Sequence, residues 1–396
     1  MTTTFRAPAV TIGVLGLAGL VMVSPLYGVI PALPAIAAQL HVATTTVSWI
    51  GFTFGLAYAC ACLFFGPLSD ARGRRWILVG GLACSAAATA LVALSPNVLA
   101  LYVTRGVAGF FAGTFGPVAL GWVAERFSGA TRAHAIAVVS AGLIGSATVG
   151  QLVFASLGAQ DWRLPFVLFS GLDALCAVLV ALVVCEVGLD RTGRSVLAAY
   201  RGLFGLLQHP PIPATYACGF ILYGGFVAFY AGLGVYLAHA GFDGERALEV
   251  RALGLIGMTL SLLTGRIVER IGPRAVVLLG LALVVIALGG TSAHVTSVAS
   301  VVVLSAFYVI GFALAAVAMN DLVVRLGGAV RGSAMAFYVF VAFSGASIGL
   351  PLAAQLRGLP FADFAGGLAA LTGLAGLVVA AAVRPARADT ATAHTS

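Results

Sequence analysis

Charged side chains are scarce in this chain of 396 residues, and lysine is absent altogether. Only 9% of the residues are charged and 61% are hydrophobic, whereas soluble domains carry about 25% charged and roughly 45–50% apolar residues. Too few polar groups remain to cover a particle in water, which excludes a soluble enzyme, a secreted scaffold and a nucleic-acid-binding domain. Without lysine, the chain also has no phosphate-binding loop of the G-x-x-x-x-G-K-[ST] type. We therefore expect neither ATP nor nucleic acid as a partner.

Cysteine is scarce too, and the six cysteines lie within or at the ends of apolar runs. Thiols buried in such surroundings behave as inert hydrophobic groups, so the sequence predicts no disulfide framework, no metal site and no other cofactor. His134, His239 and His294 lie near predicted helix ends without the paired spacing of metal ligands. No group of histidine, serine and acidic residues converges as in a catalytic site. We expect that the protein is not an enzyme.

Long apolar runs, broken by charged residues, proline and glycine, make up most of the chain. Because a membrane-spanning helix takes about 20 residues, these runs predict an all-α integral membrane protein with twelve transmembrane helices. We place spans 1 to 12 near residues 10–31, 47–68, 76–95, 98–121, 134–157, 163–187, 212–238, 248–268, 275–292, 296–319, 332–355 and 362–383. Arg6 precedes the first run, as in a signal peptide, but that run continues through Pro25 to Ile30 and is interpreted as a retained span.

The arginines near the span ends predict the orientation. Sixteen of the 21 fall on the side of the bilayer that holds both termini, four fall on the other side, and Arg105 lies inside span 4. Basic residues concentrate in cytoplasmic loops, so we expect a multi-pass protein of the inner (plasma) membrane with both termini in the cytoplasm. The longest connection, 188–211, is expected to lie along the cytoplasmic interface. It divides the chain into a first bundle, 1–187, and a second, 212–396, which ends in a short cytoplasmic tail.

The two halves repeat one loop pattern at a constant offset of 199 residues. The loop after span 2 contains Gly66, Asp70, Gly73, Arg74 and Arg75. The loop after span 8 contains the second copy, Gly265, Glu269, Gly272 and Arg274. The same pattern at the same place in both halves indicates a duplicated six-helix unit.

This loop resembles the signature of the major facilitator superfamily, G-x-x-x-D-x-x-G-R-[RK]. Span 4 adds Arg105-Gly106, followed by Gly109 and Gly113, which is similar to the second motif of that family. Asp161-Trp162-Arg163 is similar to the start of span 6 in the twelve-span drug:proton antiporters, particularly the bacterial drug or arabinose-type efflux proteins. The resemblance covers essentially the whole chain and implies two pseudo-symmetric six-helix bundles around a central substrate site.

One motif departs from the exporters' pattern. Their span 5 reads G-x-x-x-G-P-x-x-G-G, but here Ala141 and Val149 replace two glycines and Ser146 replaces the proline. Membership of the superfamily does not depend on this motif. The direction of transport is less firmly predicted because of it.

In the family the loop after span 2 is a conformational latch, and the resemblance implies that role for Gly66, Asp70, Gly73, Arg74 and Arg75. Glycine permits a tight turn or a close helix approach. A carboxylate at the end of span 2 can accept hydrogen bonds from loop arginines or interact with a neighbouring helix N-terminus. The alternative is that these arginines only orient the protein in the membrane.

Two charged residues lie inside predicted spans and are candidates for proton coupling. Arg105 lies about seven residues into span 4, where a charge is costly unless it has a function or a partner. The family assigns such an arginine to proton coupling or to holding span 1 against span 4; the alternative is a guanidinium satisfied by carbonyl groups. Asp173 lies near the middle of span 6, and an apolar environment disfavours a charged carboxylate, so it could bind and release a proton. The alternative is a structural hydrogen bond.

Aromatic residues predict the substrate site. Tyr216, Tyr223 and Tyr230 are seven residues apart in span 7 and therefore share a helix face. In the family, span 7 lines the central cavity with spans 1, 4 and 10. The substrate-site candidates are Tyr27, Tyr223, Phe226, Tyr230 and Asn320. An aromatic stripe can equally be packing.

These observations predict a monomeric secondary transporter embedded in the lipid bilayer, with a small-molecule substrate and protons as partners. We expect proton-coupled export of a small apolar or amphipathic compound, such as an antibiotic, by alternating access. Proton-coupled transport of a polar metabolite, such as a sugar or an organic anion, is the alternative. A membrane enzyme or receptor is a further class. That class predicts a catalytic cluster and no two-fold repeat, whereas the sequence contains the repeat and no such cluster.

Overall fold

The structure, a computed structural model, describes residues 8–185, 208–241, 264–294, 297–328, 331–356 and 358–383. Within these ranges every regular element is a helix, which confirms the all-α prediction. Eleven helical spans there are long and apolar enough to cross a membrane. The predicted span 8, 248–268, lies mostly outside the described residues, apart from a helical stretch over 264–271. Most of the predicted linker and the tail also lie outside them.

The helices follow the predicted order. Span 1 is Pro8–Gly28, continued by a 3₁₀ turn and by Leu33–Gln39; span 4 is Val98–Ala112 followed by Phe115–Arg126. The other spans are Thr44–Arg72, Arg74–Ala93, Gly129–Leu157, Leu164–Val183, Pro211–His239, Pro273–Ala293, Val298–Gly327, Arg331–Gln355 and Phe361–Ala382. We call the end of the bundle that carries the loops after spans 2 and 8 the motif end, and the other the opposite end.

Four helices extend past their predicted apolar runs at the motif end. Span 2 continues to Arg72, span 4 continues to Arg126, span 5 begins at Gly129 and span 10 continues to Gly327, instead of the predicted 68, 121, 134 and 319. Hydropathy marks only the part of a helix that lies in hydrocarbon. The backbone hydrogen bonds that define the helix continue beyond that depth, where polar side chains reach water.

The duplication is visible in the backbone. Gly73 and Gly272, 199 residues apart, have φ angles of 98° and 83° and each stands immediately before the helix that follows a motif loop. Side chains other than glycine rarely adopt such angles. Both copies of the motif therefore need this glycine for the same reversal of chain direction.

Helix packing repeats in the same way. In the first half, a Cβ on Gly150 of span 5 would overlap the carbonyl oxygen of Ser24 in span 1. In the second half, a Cβ on Gly349 of span 11 would overlap the carbonyl oxygen of Gly224 in span 7. Glycine at such crossings lets two backbones approach closely. The first and fifth helices of each half thus pack alike, as two pseudo-symmetric bundles require.

Candidate functional site

An ion pair at the motif end joins span 3 to span 4. Arg74 donates from Nε to Glu125 Oε2 at 3.0 Å and from Nη2 to Glu125 Oε1 at 2.6 Å. Two parallel bonds of this kind add both energy and geometric specificity. The guanidinium of Arg74 lies against Gly121, where a Cβ would overlap it. Arg74 is only 9% exposed, whereas the Glu125 side chain is 33% exposed, so the pair is enclosed on the arginine side only.

Fewer contacts are described for the other residues of the first motif copy. Asp70 belongs to the last turns of span 2, but its side chain lies outside the part of the chain that the structure describes. Gly66 lies near Pro117, and a Cβ there would make an ordinary contact at 3.8 Å. Space alone therefore does not require glycine at position 66. The latch role of these residues stays a prediction.

In the second copy, Gly265 and Glu269 are exposed and belong to the helical stretch 264–271, which precedes Gly272. The position equivalent to Arg74 is Pro273, and the position equivalent to Glu125 is Val324. Both members of the ion pair are thus absent from the second half. The ion pair is therefore specific to the first half at these positions.

The last arginine of each motif copy binds the end of the final helix in its own half. Arg75 donates from Nη2 to the carbonyl oxygen of Ala181, near the end of span 6, at 2.9 Å. Arg274 donates from Nη2 to the carbonyl oxygen of Ala380, in span 12, at 2.9 Å, and from Nε to that of Val383 at 2.6 Å. Ala181 and Ala380 are also 199 residues apart. The last carbonyl groups of a helix lack partners within it, so each arginine satisfies them and favours the negative end of the helix dipole.

Arg105 is fully buried where spans 1, 2 and 4 meet. Its Nη2 donates to the carbonyl oxygen of Pro25 at 3.1 Å, and its Nε makes a longer bond, 3.5 Å, to that of Ile50. The guanidinium carbon lies 4.2 Å from the ring centroid of Phe54. Among the described residues no carboxylate pairs with it, and Nη1 has no hydrogen-bond partner. The carbonyl contacts hold span 4 to spans 1 and 2, and the coupling role stays a prediction.

Asp173 is fully buried in the seam between spans 6 and 3. Its Oδ2 accepts a hydrogen bond from the Ser85 hydroxyl at 2.9 Å, and the hydroxyl of Ser170 donates across the same seam to the carbonyl oxygen of Ala86 at 2.8 Å. Within the described part of the chain, Asp173 Oδ1 has no partner. The carboxyl group therefore faces span 3, and proton coupling through it stays a prediction.

Spans 2 and 11 bring the two halves into contact along an antiparallel row. A Cβ on Gly51 would overlap the side chain of Leu350, and a Cβ on Gly55 would overlap that of Ser347. One turn further, the rings of Tyr58 and Phe343 lie 4.8 Å apart. Beyond Tyr58, toward the motif end, span 2 turns to its own half, where Cys62 Sγ contacts the Gly113 carbonyl oxygen at 3.5 Å and Phe65 packs on Phe110. The three contacts between spans 2 and 11 thus lie between the middle of the helices and the opposite end.

An aromatic cluster occupies the middle of the molecule, where this row ends. Tyr223 packs against Phe312 at 5.2 Å and against Phe343 at 5.7 Å between ring centroids. Tyr58, Phe312 and Phe343 lie at the midpoints of their helices, and Tyr223 lies two residues from the midpoint of span 7. Tyr27 of span 1 lies near Tyr58 and Tyr223. Both halves therefore contribute rings at the depth where transporters of duplicated fold bind their substrates.

The structure brings most of the predicted substrate-site residues into this cluster. Phe226 stacks on Phe312 at 4.1 Å and contacts Tyr230 at 5.0 Å, so the predicted face of span 7 is continuous with it. Asn320 is partly exposed and lies eight residues beyond Phe312, about 12 Å along the helix, which separates it from the rings. Tyr58, Phe312 and Phe343 were not among the predicted residues. Tyr58 and Phe343 lie at the centres of the predicted spans 47–68 and 332–355, which was a usable signal, whereas Phe312 lies beyond the centre of the predicted span 296–319.

Comparisons with known proteins agree with this arrangement. The family model of the Major Facilitator Superfamily matches residues 15–350. The chain is 29% identical over 380 residues to the "Probable transporter SCO4007" of Streptomyces coelicolor, covering 91% of this chain and 84% of that one. It is 33% identical over 136 residues to the "Multidrug efflux protein YfmO" of Bacillus subtilis, covering 34% of each chain. Several other relatives are matched over only 25% to 62% of their own length.

Among solved structures, a mutant of the nucleoside transporter NupG is similar in fold. The TM-score is 0.75 at 12% identity, and the match covers 96% of this chain and all of that one. A repeated six-helix unit, a motif loop in each half and a family match over most of the length lead to one conclusion: this chain is a multi-pass membrane transporter that belongs to the major facilitator superfamily.

Proposed function

We propose that this transporter exports small apolar or amphipathic compounds, such as antibiotics, in exchange for protons. The observation that carries the proposal is the aromatic cluster at mid-depth, to which both halves contribute Tyr27, Tyr58, Tyr223 and Phe343. Aromatic faces bind flat apolar solutes through dispersion and ring–ring contacts. The name of the YfmO relative, a multidrug efflux protein, supports export of such compounds.

Alternating access follows if the row between spans 2 and 11 opens and closes. We propose that the motif end faces the cytoplasm, as the excess of arginine there favours, so that this row closes the outer side of the site. The glycines at positions 51 and 55 permit close approach without interlocking side chains. Rocking of the halves would separate the row and expose the aromatic cluster to the exterior.

For proton coupling, Asp173 and Arg105 remain our candidates. A carboxyl group without water around it favours its neutral form, so Asp173 can take up a proton when the seam between spans 3 and 6 becomes accessible. Arg105 bonds to carbonyl groups of spans 1 and 2, so any movement of span 1 changes its hydrogen bonds. In the same proposal Arg74, Arg75 and Asp70 form a latch that stabilises one state at the motif end.

The experiment measures transport by the purified protein, reconstituted as a monomer in liposomes. Two preparations are compared, in which the protein has opposite orientations in the liposome membrane. An imposed pH gradient should drive accumulation of apolar aromatic compounds and leave sugars and organic anions unmoved. Liposomes with the protein but without a gradient, and liposomes with a gradient but without the protein, are the controls. Gradient-driven movement of a sugar and not of the aromatic compounds would replace this proposal with the polar-metabolite alternative.

A further inference from the structure

We infer that the substrate is an uncharged, planar aromatic molecule with hydrogen-bond acceptors, and that Tyr27 and Tyr223 bind it from opposite halves. This inference rests on the proposed function and narrows it, because it excludes the lipophilic cations that an aromatic site could also accept.

The hydroxyl groups of Tyr27 and Tyr223 favour a solute that accepts hydrogen bonds. Tyr27 and Tyr223 are partly exposed at the centre of the molecule, and neither hydroxyl has a hydrogen-bond partner among the described residues. By contrast, Tyr216 donates within its own half to the carbonyl oxygen of Ala334 at 2.8 Å. A hydroxyl at membrane depth is costly without a partner. Two donors without a partner among the described residues, one from each half, therefore call for a solute, or water, that accepts from them.

The rings around Tyr223 favour a planar solute. The ring of Tyr223 lies between those of Phe312 and Phe343, and the ring of Phe343 also packs on Tyr58. Flat walls of this kind favour a solute that can stack or meet a ring edge, as aromatic pairs do. A planar ring system with acceptors at its rim satisfies the faces and the hydroxyl groups together.

The charges around the cluster disfavour a cation. The carboxylates whose side chains the structure describes lie at or near helix ends, apart from Asp173, which lies in the seam between spans 3 and 6. A cation at the tyrosines would have no carboxylate partner among these residues.

An anion is disfavoured for a different reason. Arg105 is fully buried, with rings of Phe54 and Phe166 over its guanidinium at 4.2 and 5.7 Å. Its charge is thus enclosed within the first half and is not presented at the tyrosine hydroxyls. A buried anion without a hydrogen-bonded cation is strongly destabilised. An uncharged solute is the remaining class.

The test compares three planar tricyclic probes of similar size: 9,10-anthraquinone, which is neutral and carries acceptors; anthracene, which lacks them; and N-methylacridinium, a cation. Binding to the purified protein and gradient-driven transport in liposomes are both measured. We expect anthraquinone to bind and be transported, anthracene to bind about tenfold more weakly because two hydrogen bonds are lost, and acridinium not to be transported. Tyr27→Phe and Tyr223→Phe should each weaken anthraquinone binding several-fold and leave anthracene binding unchanged. Tyr216→Phe, which removes a hydroxyl bonded within its own half, is the matched control and should leave both affinities unchanged.

The outcomes separate this inference from the proposed function. Gradient-driven transport of acridinium but not of anthraquinone would overturn the uncharged substrate class and leave proton-driven export standing. Equal anthraquinone affinity in wild type, Tyr27→Phe and Tyr223→Phe would overturn the role of the hydroxyl groups. Failure of every compound, including a broader aromatic panel, to respond to the gradient would overturn the proposed function itself.

Discussion

Removing either partner of the Arg74–Glu125 ion pair should destabilise the protein, and by unequal amounts. Glu125→Met leaves a guanidinium behind on a residue that is 9% exposed, where water reaches it poorly. Arg74→Met leaves a carboxylate on a side chain that is 33% exposed, and water can solvate it. Methionine keeps an unbranched chain of similar length at both positions, so that packing beside Gly121 is largely retained.

The magnitudes follow from burial. Breaking a buried pair by removing one partner costs about 3–5 kcal/mol, and this pair is enclosed on the arginine side only. We therefore expect Glu125→Met to lower the free energy of unfolding by about 3 kcal/mol, at the low end of that range. Arg74→Met should lower it by about 1 kcal/mol, closer to the value for exposed pairs. The double variant should be more stable than Glu125→Met alone, because it removes the buried guanidinium together with its Glu125 partner.

Unfolding of the purified protein by denaturing detergent measures these differences. The matched control is the pair Arg325–Asp321, whose 2.8 Å contact joins side chains that are 61% and 38% exposed one turn apart on span 10. Replacing either of those residues should cost about 0.5 kcal/mol or less. If Arg74→Met and Glu125→Met had equal effects that simply added in the double variant, the reasoning from burial would be wrong.

Three further substitutions test other parts of the structure. Gly55→Val should hold spans 2 and 11 apart and increase the fraction of molecules that are open at the opposite end. Gly80→Val is the control and should not increase it, because a Cβ at Gly80 meets nothing within 4 Å. Equal open fractions in the two variants would contradict the row of contacts. Asp173→Asn retains an acceptor for Ser85 and should keep the melting temperature within a few degrees while making flux independent of the pH gradient; unchanged coupling would remove Asp173 as the proton site. Arg274→Met loses two hydrogen bonds to helix-end carbonyls, and Arg75→Met loses one. Unfolding measurements should therefore give Arg274→Met a free energy of unfolding about 1–3 kcal/mol lower than that of Arg75→Met. The reverse order would contradict the capping interpretation.

Much of the fold is predictable from the sequence because hydropathy and chain duplication are local or periodic signals. Apolar runs predicted the order of the helices, and the offset of 199 residues related Gly73 to Gly272 before the backbone showed their matching φ angles. Hydropathy could not predict how far Thr44–Arg72 or Val298–Gly327 extends beyond the hydrocarbon, since a helix that has left the bilayer no longer needs apolar side chains.

The site was only partly predictable, because its contacts join distant helices. Tyr223 and Phe226 were identified from their spacing within one helix, but no local pattern pairs Tyr58 with Phe343, 285 positions later in the chain. The partners of Arg105 are backbone carbonyls, and every residue carries one, so residue identity alone does not indicate them. For Arg75, its equivalence to Arg274 was visible in the sequence repeat. The carbonyl groups that the two arginines bind could not be predicted, because the sequence does not show where the ends of spans 6 and 12 lie relative to them.

The central claim is that the two halves separate and close around the aromatic cluster. The most direct measurement is the distance between spin labels at Ala43 and Gln355, in protein whose native cysteines have been replaced. Both positions are exposed, and both lie at the opposite end of the bundle, where span 2 begins and span 11 ends. Labels at Ala43 and Asn97, both in the first half, serve as the rigid control. The account predicts a short and a long Ala43–Gln355 distance, whose proportions change with substrate and pH, and one constant Ala43–Asn97 distance. A single Ala43–Gln355 distance that neither substrate nor pH alters in a transport-competent protein would contradict it.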